Sequence, residues 1–213
     1  YTLEVILTQQ ANENEPWPSI VLLVVVLAGV GLAAQQVGQA LQLTVIDVRE
    51  AKERPSTMEV DGKPADLAEC MPLVLINPEI TPVGEPISGG EGCLSFPEVY
   101  ADITRPGVVD VVGMDETGQR IAFRAGGLLG QAVQHETDHL HGILFIDRMP
   151  SAKKQELQPE LDVIQAETKA ELAKAKLDYG NELMFKSALP PKIKYRAALK
   201  MYREVLALDP ANE

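Results

Sequence analysis

The sequence predicts an α+β protein: antiparallel strands packed around one central helix, followed by further helices toward the C-terminal end. Three observations carry this reading. Short β-rich segments recur between turn residues from about 41 to 124. Residues 128–141 combine apolar side chains with histidines at helical spacing. From Ser151 onward the composition shifts to Ala, Glu, Lys, Leu and Gln. Strands that come in a run ahead of the helices, rather than alternating with them, mark an α+β chain.

The totals bound the answer. A chain of 213 residues suits one or two domains, and 46% hydrophobic with 23% charged residues suits a globular core. The net charge of −12 argues against a dedicated nucleic-acid binder, so no DNA partner is expected. Two cysteines, Cys70 and Cys93, make no disulfide framework and point to a reducing compartment.

Taken in order, residues 1–7 read as a short strand and residues 9–18 as a polar, proline-flanked loop. Position 1 is not Met and no basic leader precedes the apolar residues, so the start reads as trimmed or incomplete. The run 20–34 is the most apolar stretch, but it has fifteen residues and two glycines, where a membrane span needs about 18–20 apolar residues. A buried core element is expected, and no membrane association. At its end, Gly29 and Gly31 allow close backbone approach, and Gln36 offers an amide donor; the same features suit a plain turn after a core element.

Residues 41–48 alternate and read as a strand. Residues 49–69, with Pro55, Gly62 and Pro64, read as a hairpin or loop, and Cys70 as a buried or loop thiol. Residues 73–77 read as a strand ended by Pro78, and 82–90 as turn-rich. Cys93, after Gly92, suits a metal ligand, a nucleophile or a small core residue. Strands follow at 100–104, 108–114 and 120–124, with Asp115-Glu116-Thr117-Gly118 as the turn between the last two. Residues 144–148 form a short closing segment.

The helix that carries chemistry is His135-Glu136-Thr137-Asp138-His139. Residues four apart share a helix face, so two imidazoles can bind one divalent metal, and the intervening carboxylate can reach water held there. Gln131 adds a polar side chain one turn earlier. After it, residues 151–178 read as a long solvated helical linker with Pro159 at a start or bend. Residues 179–213 resemble a single tetratricopeptide repeat, which cannot bury both its faces alone; an ordinary amphipathic hairpin fits as well.

Three segments together narrow the reading. Gly29-Val30-Gly31-Leu32-Ala33-Ala34-Gln35-Gln36, Glu91-Gly92-Cys93-Leu94-Ser95 and Gln134-His135-Glu136-Thr137-Asp138-His139 resemble, in order, the three signature motifs of the peptide deformylase family. The similarity extends to Ile76-Asn77-Pro78-Glu79 and to residues 142–148, and covers roughly 29–150. The resemblance implies the fold stated above, with residues 1–150 as a catalytic domain, and removal of the formyl group from N-terminal formyl-methionine. It implies Cys93, His135 and His139 as ligands of one divalent ion, Fe(II) as the native metal, with zinc, nickel or cobalt able to replace it. It implies Glu136 as general base, with the Gln36 amide and the backbone N–H of Leu94 on the oxyanion. Val30, Leu128 and Ala132 would line the methionine slot, and backbone at Val30, Gly31 and Gly92 would pair with the extended substrate. Asp138, facing away from the metal, either pairs with Arg105 behind the site or is a solvated surface carboxylate. Formylmethionyl nascent chains at the ribosome are the partners implied, in a cytoplasm or an organellar matrix, with a protein partner for the helical tail. A generic HExxH zinc peptidase would instead need a third ligand other than Cys93. A metal-binding interaction protein would have no use for Gln36, Cys93 and Glu136 together.

Overall fold

The computed structural model describes residues 29–208. The expected strand at 1–7, the loop at 9–18 and the apolar residues 20–28 lie outside the described residues. The chain divides into two compact units, one through Ser151 and one from Ala152.

The first unit is built on a seven-stranded antiparallel sheet in the order β1-β2-β5-β8-β9-β3-β4. Its strands are β1 (Gly31–Ala33), β2 (Leu43–Ile46), β3 (Ser56–Val60), β4 (Lys63–Pro64), β5 (Leu73–Pro82), β8 (Val108–Met114) and β9 (Arg120–Gly126). A one-turn helix α1 (Leu67–Cys70), capped by the Asp66 carboxylate on the N–H of Ala68, precedes β5. A separate two-stranded ribbon pairs β6 (Pro86–Cys93) with β7 (Phe96–Pro106). The helix α2 (Gly127–Leu140) lies against the sheet, and a short α3 (Phe145–Arg148) follows it.

Period-two alternation explains the strand faces. In β8, Val109 and Val111 point inward and are fully buried, and in β7 Val99, Ala101, Ile103 and Arg105 share the inward face. The core joins Ile46, Leu75, Val109, Val111 and Phe123 of the sheet to Leu129 and Val133 of α2. A smaller cluster of Leu32, Ala34, Leu43, Val45 and Val74 fills the other side of the sheet at the β1–β2–β5 end.

Two sequence expectations are corrected. Pro78 does not end its strand: β5 continues to Pro82, because a register shift between Ile76 and Glu79, with Asn77 at φ 50°, absorbs the residue that lacks an N–H. The stretch 82–90 is not all turn: Pro86 onward is β6, whose glycines are paired through their backbones to β7, from Pro86↔Pro106 to Gly92↔Tyr100. The expected 49–69 hairpin is formed by β3 and β4, and the Asp115–Gly118 turn is held by the Asp115 carboxylate on Thr117 and Gln119.

The second unit holds α4 (Ser151–Glu156), α5 (Gln158–Phe185) and α6 (Pro191–Leu208). Pro159 sits in the first turn of α5, where its missing N–H costs nothing. The expected boundary at 178/179 lies inside this helix. α5 and α6 form a hairpin that buries Ala173, Gly180, Leu183, Ala198 and Val205, with Tyr202 Oη donating to Asn181 Oδ1 at 2.9 Å. Among the described residues no helix is long and apolar enough to cross a membrane.

Candidate active site

The start of α2 is anchored before its chemistry begins. Gly127 adopts φ 61°, and a Cβ there would sit 2.1 Å from the Pro55 carbonyl oxygen, so only glycine fits. That carbonyl accepts the N–H of Leu128 at 3.0 Å, and Ser56 Oγ accepts the N–H of Leu129 at 3.1 Å, which meets donors that a helix N-terminus leaves open. Two turns later His135 and His139 project together, with ring centroids 4.9 Å apart.

Cys93 reaches them from the end of β6, where the register shift between Gly92 and Cys93 redirects the chain. Its Sγ lies 3.2 Å from His139 Nε2, and the ligand atoms of Cys93, His135 and His139 all fall within 4.8 Å of one another. Ligands at about 2.0–2.3 Å around a tetrahedral ion stand roughly 3.3–3.8 Å apart, so the three residues fit a single divalent cation and leave further coordination positions open. Burial raises the Cys93 thiol, but hydrogen bonds to His135 and His139 outweigh it and bring its pKa to about 6, so the thiolate a metal requires prevails at neutral pH. Burial disfavours the His135 cation, yet its contacts with Cys93 and Glu91 carry its pKa up to about 10. A cation at this site competes with that proton.

A charged web stands behind the ligands. His135 Nδ1 lies 3.0 Å from Glu91 Oε2, which leaves Nε2 for the cation. Glu91 receives Arg105 through Nε at 2.6 Å and Nη2 at 3.1 Å; Arg105 Nη1 donates to Asp138 at 2.8 Å, and Arg148 joins Asp138 from the rim at 2.5 Å. Of the two sequence expectations for Asp138, the pair with Arg105 is the one formed. Glu91 and Arg105 are both buried. Burial alone would raise Glu91, but hydrogen bonds from His135 and Arg105 pull its carboxyl down to about 2.

Glu136 is treated differently. It is 3% exposed, and its Oε2 has no hydrogen-bond partner among the described residues. Burial pushes its carboxyl up to about 7, against the lowering effect of the two histidines. Gly31 packs directly over it: a Cβ there would sit 2.6 Å from Glu136 Oε1. A buried, unpaired carboxylate oxygen beside three atoms that could hold a metal ion marks a place for a polar group from outside the chain. Gln36 is oriented by the N–H of Ala33, which donates to Oε1 at 2.8 Å; its Nε2 is thereby turned to within 3.7 Å of Cys93 Sγ and 3.2 Å of Ser95 Oγ.

The model of the polypeptide deformylase family matches residues 7–155. The chain belongs to that family. A peptide deformylase of Opitutus terrae is 43% identical over 145 residues, covering 67% of this chain and 75% of that protein. One of Methylacidiphilum infernorum is 48% identical over 136 residues, covering 64% and 71%. Among solved structures, the plant peptide deformylase PDF1B superposes with a TM-score of 0.62 at 31% identity, over 76% of this chain and 80% of the other. The Synechococcus elongatus enzyme in complex with actinonin gives 0.55 at 38% identity, over 67% and 69%. The chain is therefore a deformylase, a metal-dependent hydrolase that removes the formyl group from nascent polypeptides, with the peptide deformylase fold.

A cleft of about 430 Å³ opens onto this deformylase site. Every residue expected to bind substrate lines it: Val30, Gly31, Gly92, Leu128 and Ala132, together with Gln36, Leu94 and Glu136. Sequence reasoning missed Glu91, quoted within a motif but given no role, and Arg54, which lies in an aperiodic loop. The signal for Glu91 was the inward alternation of β7, which obliges Arg105 to find a buried carboxylate.

Proposed function

We propose that Cys93, His135 and His139 hold one divalent ion and that Glu136 is the general base. The observation that carries this reading is the convergence of the three ligand atoms beside the unpaired, buried Glu136 carboxylate. When bound, the ion supplies Lewis acidity that polarises the formyl oxygen and makes water more acidic. Glu136 takes a proton from the attacking water. Its carboxyl near 7 suits both accepting that proton and returning it to the leaving amine at neutral pH. The Gln36 amide, preset by Ala33, and the backbone N–H of Leu94 stabilise the charge that develops on the formyl oxygen, each worth about 3–4 kcal/mol. The C–N bond breaks, and formate and a free amino terminus leave.

Val30, Leu128 and Ala132 give the methionine side chain an apolar wall. Among the described residues β1 is the outer strand of its sheet, and the Val30 carbonyl already accepts the N–H of Asp47 at 2.9 Å. Peptide groups alternate sides along a strand, so Gly31 turns its own toward the open edge and Val30 contributes its side chain. Gly92 lies on β6, which among the described residues pairs on one edge alone, with β7. An extended formyl-methionyl peptide adds there as a strand.

Fe(II) is the native ion in this reading because the resemblance to the deformylase family implies it; one thiolate and two imidazoles accept zinc, nickel and cobalt as well. Residues through 150 are the catalytic domain in this reading, and the hairpin of α5 and α6 beyond it, whose sequence resembles a single tetratricopeptide repeat, takes a protein partner. Nascent chains at the ribosome, in a cytoplasm or an organellar matrix, supply the substrate. The test is formate release from formyl-Met-Ala-Ser by anaerobically purified protein, with metal content measured on the same sample. Formate production that tracks bound iron supports the reading; metal-loaded protein that releases none contradicts it.

A further inference from the structure

Gln131, one helical turn ahead of His135, has a polar side chain in the wall of a cleft whose chemistry does not use it. Its amide is fixed from both ends. Nε2 donates to Glu91 Oε1 at 2.9 Å and to the Gly90 carbonyl at 3.3 Å, which leaves Oε1 to accept from Arg54 Nη2 at 2.5 Å. Arg54 is exposed, yet its loop is tied down: the very next residues, Pro55 and Ser56, receive the N–H groups of Leu128 and Leu129 at the start of α2. The guanidinium is thereby held at the cleft wall.

The charges around it are uneven. The acidic and basic side chains lining the cleft are Arg54, Glu91, Glu98 and Glu136, besides His135. Glu91 is already neutralised by buried Arg105, and no carboxylate pairs with Arg54 among the described residues. Gln131 is a neutral acceptor: it orients the guanidinium without cancelling its charge. An arginine carries five N–H donors in a fixed fork suited to a carboxylate, and one bond to an amide leaves most of them free.

We propose that Arg54 is a specificity-determining residue that binds a carboxylate on the substrate about two residues beyond formyl-methionine. The proposal rests on the cleft being the seat of the formylated peptide. Its reach follows from simple lengths. Gln131 precedes His135 by four residues, about 6 Å along the helix, and the Arg54 guanidinium meets its Oε1. Two residues of extended substrate span about 7 Å. The carboxylate has two sources, an Asp or Glu side chain at that position or the free C-terminus of a short peptide, and the guanidinium recognises the same group in either.

The experiment measures kcat/KM of formate release by anaerobically loaded protein on three peptides: formyl-Met-Ala-Glu amide, formyl-Met-Ala-Gln amide, and formyl-Met-Ala-Gln with a free C-terminus. The protein is compared with Arg54→Ala and Arg54→Glu; the side chain is exposed, so both variants keep the fold. A solvent-accessible ion pair gives about a two- to fivefold effect. The unaltered protein is expected to prefer the Glu peptide over the Gln amide by that factor, in KM rather than kcat, and less so at high salt. The preference should fall to about one in Arg54→Ala and invert in Arg54→Glu. The free-acid peptide shows whether a terminal carboxylate gains the same advantage. Equal preference in all three proteins overturns the role of Arg54 alone. Failure of the unaltered protein to release formate from the neutral Gln amide overturns the deformylase reading, and the proposal with it.

Discussion

Glu91 and Glu136 line the same cleft and are both buried, yet the molecule handles them in opposite ways. Behind the ligands, Glu91 is surrounded by donors from Arg105, Gln131 and His135 and its carboxyl falls to about 2. In front of them, Glu136 keeps one oxygen without a partner and its carboxyl rises to about 7. In the proposed mechanism the difference separates two tasks. A carboxylate that must stay charged to orient a ligand is saturated with hydrogen bonds. One that must exchange a proton is left desolvated and nearly alone.

That contrast can be broken most severely at Glu136. Glu136→Gln should lower kcat by about 10²–10⁴-fold while metal content and folding stability hold, because the amide fits the same space and removes a costly buried charge. An activity loss accompanied by loss of metal would assign Glu136 to holding the site instead. Glu91→Ala is expected to behave in reverse. It leaves Arg105 with Asp138 as its remaining buried carboxylate and its Nε and Nη2 unpaired, which costs about 1–3 kcal/mol in urea unfolding, and it frees His135 to tilt, which weakens metal binding by about 10–100-fold.

Titration sharpens the comparison further. Glu91 has a folded pKa near 2 against an ordinary value of 4.5, so the unfolded chain binds its proton first as pH falls. Its contribution is complete above about pH 4.5 and is lost on the way down to 2, on the order of 3 kcal/mol. Glu136 has the opposite sign: its folded pKa near 7 lies above 4.5, so its contribution is present below about pH 4.5 and is lost as pH rises through 7. Urea midpoints from pH 2 to 8, taken with a chelator present so that metal and protons do not compete, should show this. Glu91→Gln flattens the acid limb, whereas Glu136→Gln flattens the decline toward neutrality. The smallest effect belongs to Arg148, which meets Asp138 from the rim with its side chain 45% exposed. Arg148→Ala should cost about 0.2–1 kcal/mol in the same assay, since Arg105 still holds Asp138 from the buried side.

How far the sequence could be read follows from how local each signal is. His135, Glu136 and His139 were legible because one helix sets their spacing. Cys93 was less so: its surroundings left ligand, nucleophile and small core residue open, because its sulfur arrives through a register shift at the end of a glycine-rich strand, and the family resemblance chose among them. The same glycines disguised β6 as a turn, and Pro78 disguised the middle of β5 as an end, because in both places backbone pairing across the sheet overrode residue preference. Arg105 with Asp138 was within reach of helix-face geometry. Glu91 and Arg54 were harder, for each depends on a partner 14 or more positions away on another element. A helix over residues 151–178 was anticipated from composition and helices beyond it from the likeness to a tetratricopeptide repeat, but α5 runs unbroken past Tyr179 to Phe185, with no proline boundary to end it earlier.

X-ray absorption at the metal edge of anaerobically purified, formate-releasing protein tests the central claim most directly. The account predicts one ion per chain with a single sulfur neighbour at about 2.3 Å, two imidazole nitrogens, and disappearance of the sulfur signal in Cys93→Ser. Active protein whose ion has no sulfur neighbour would contradict it.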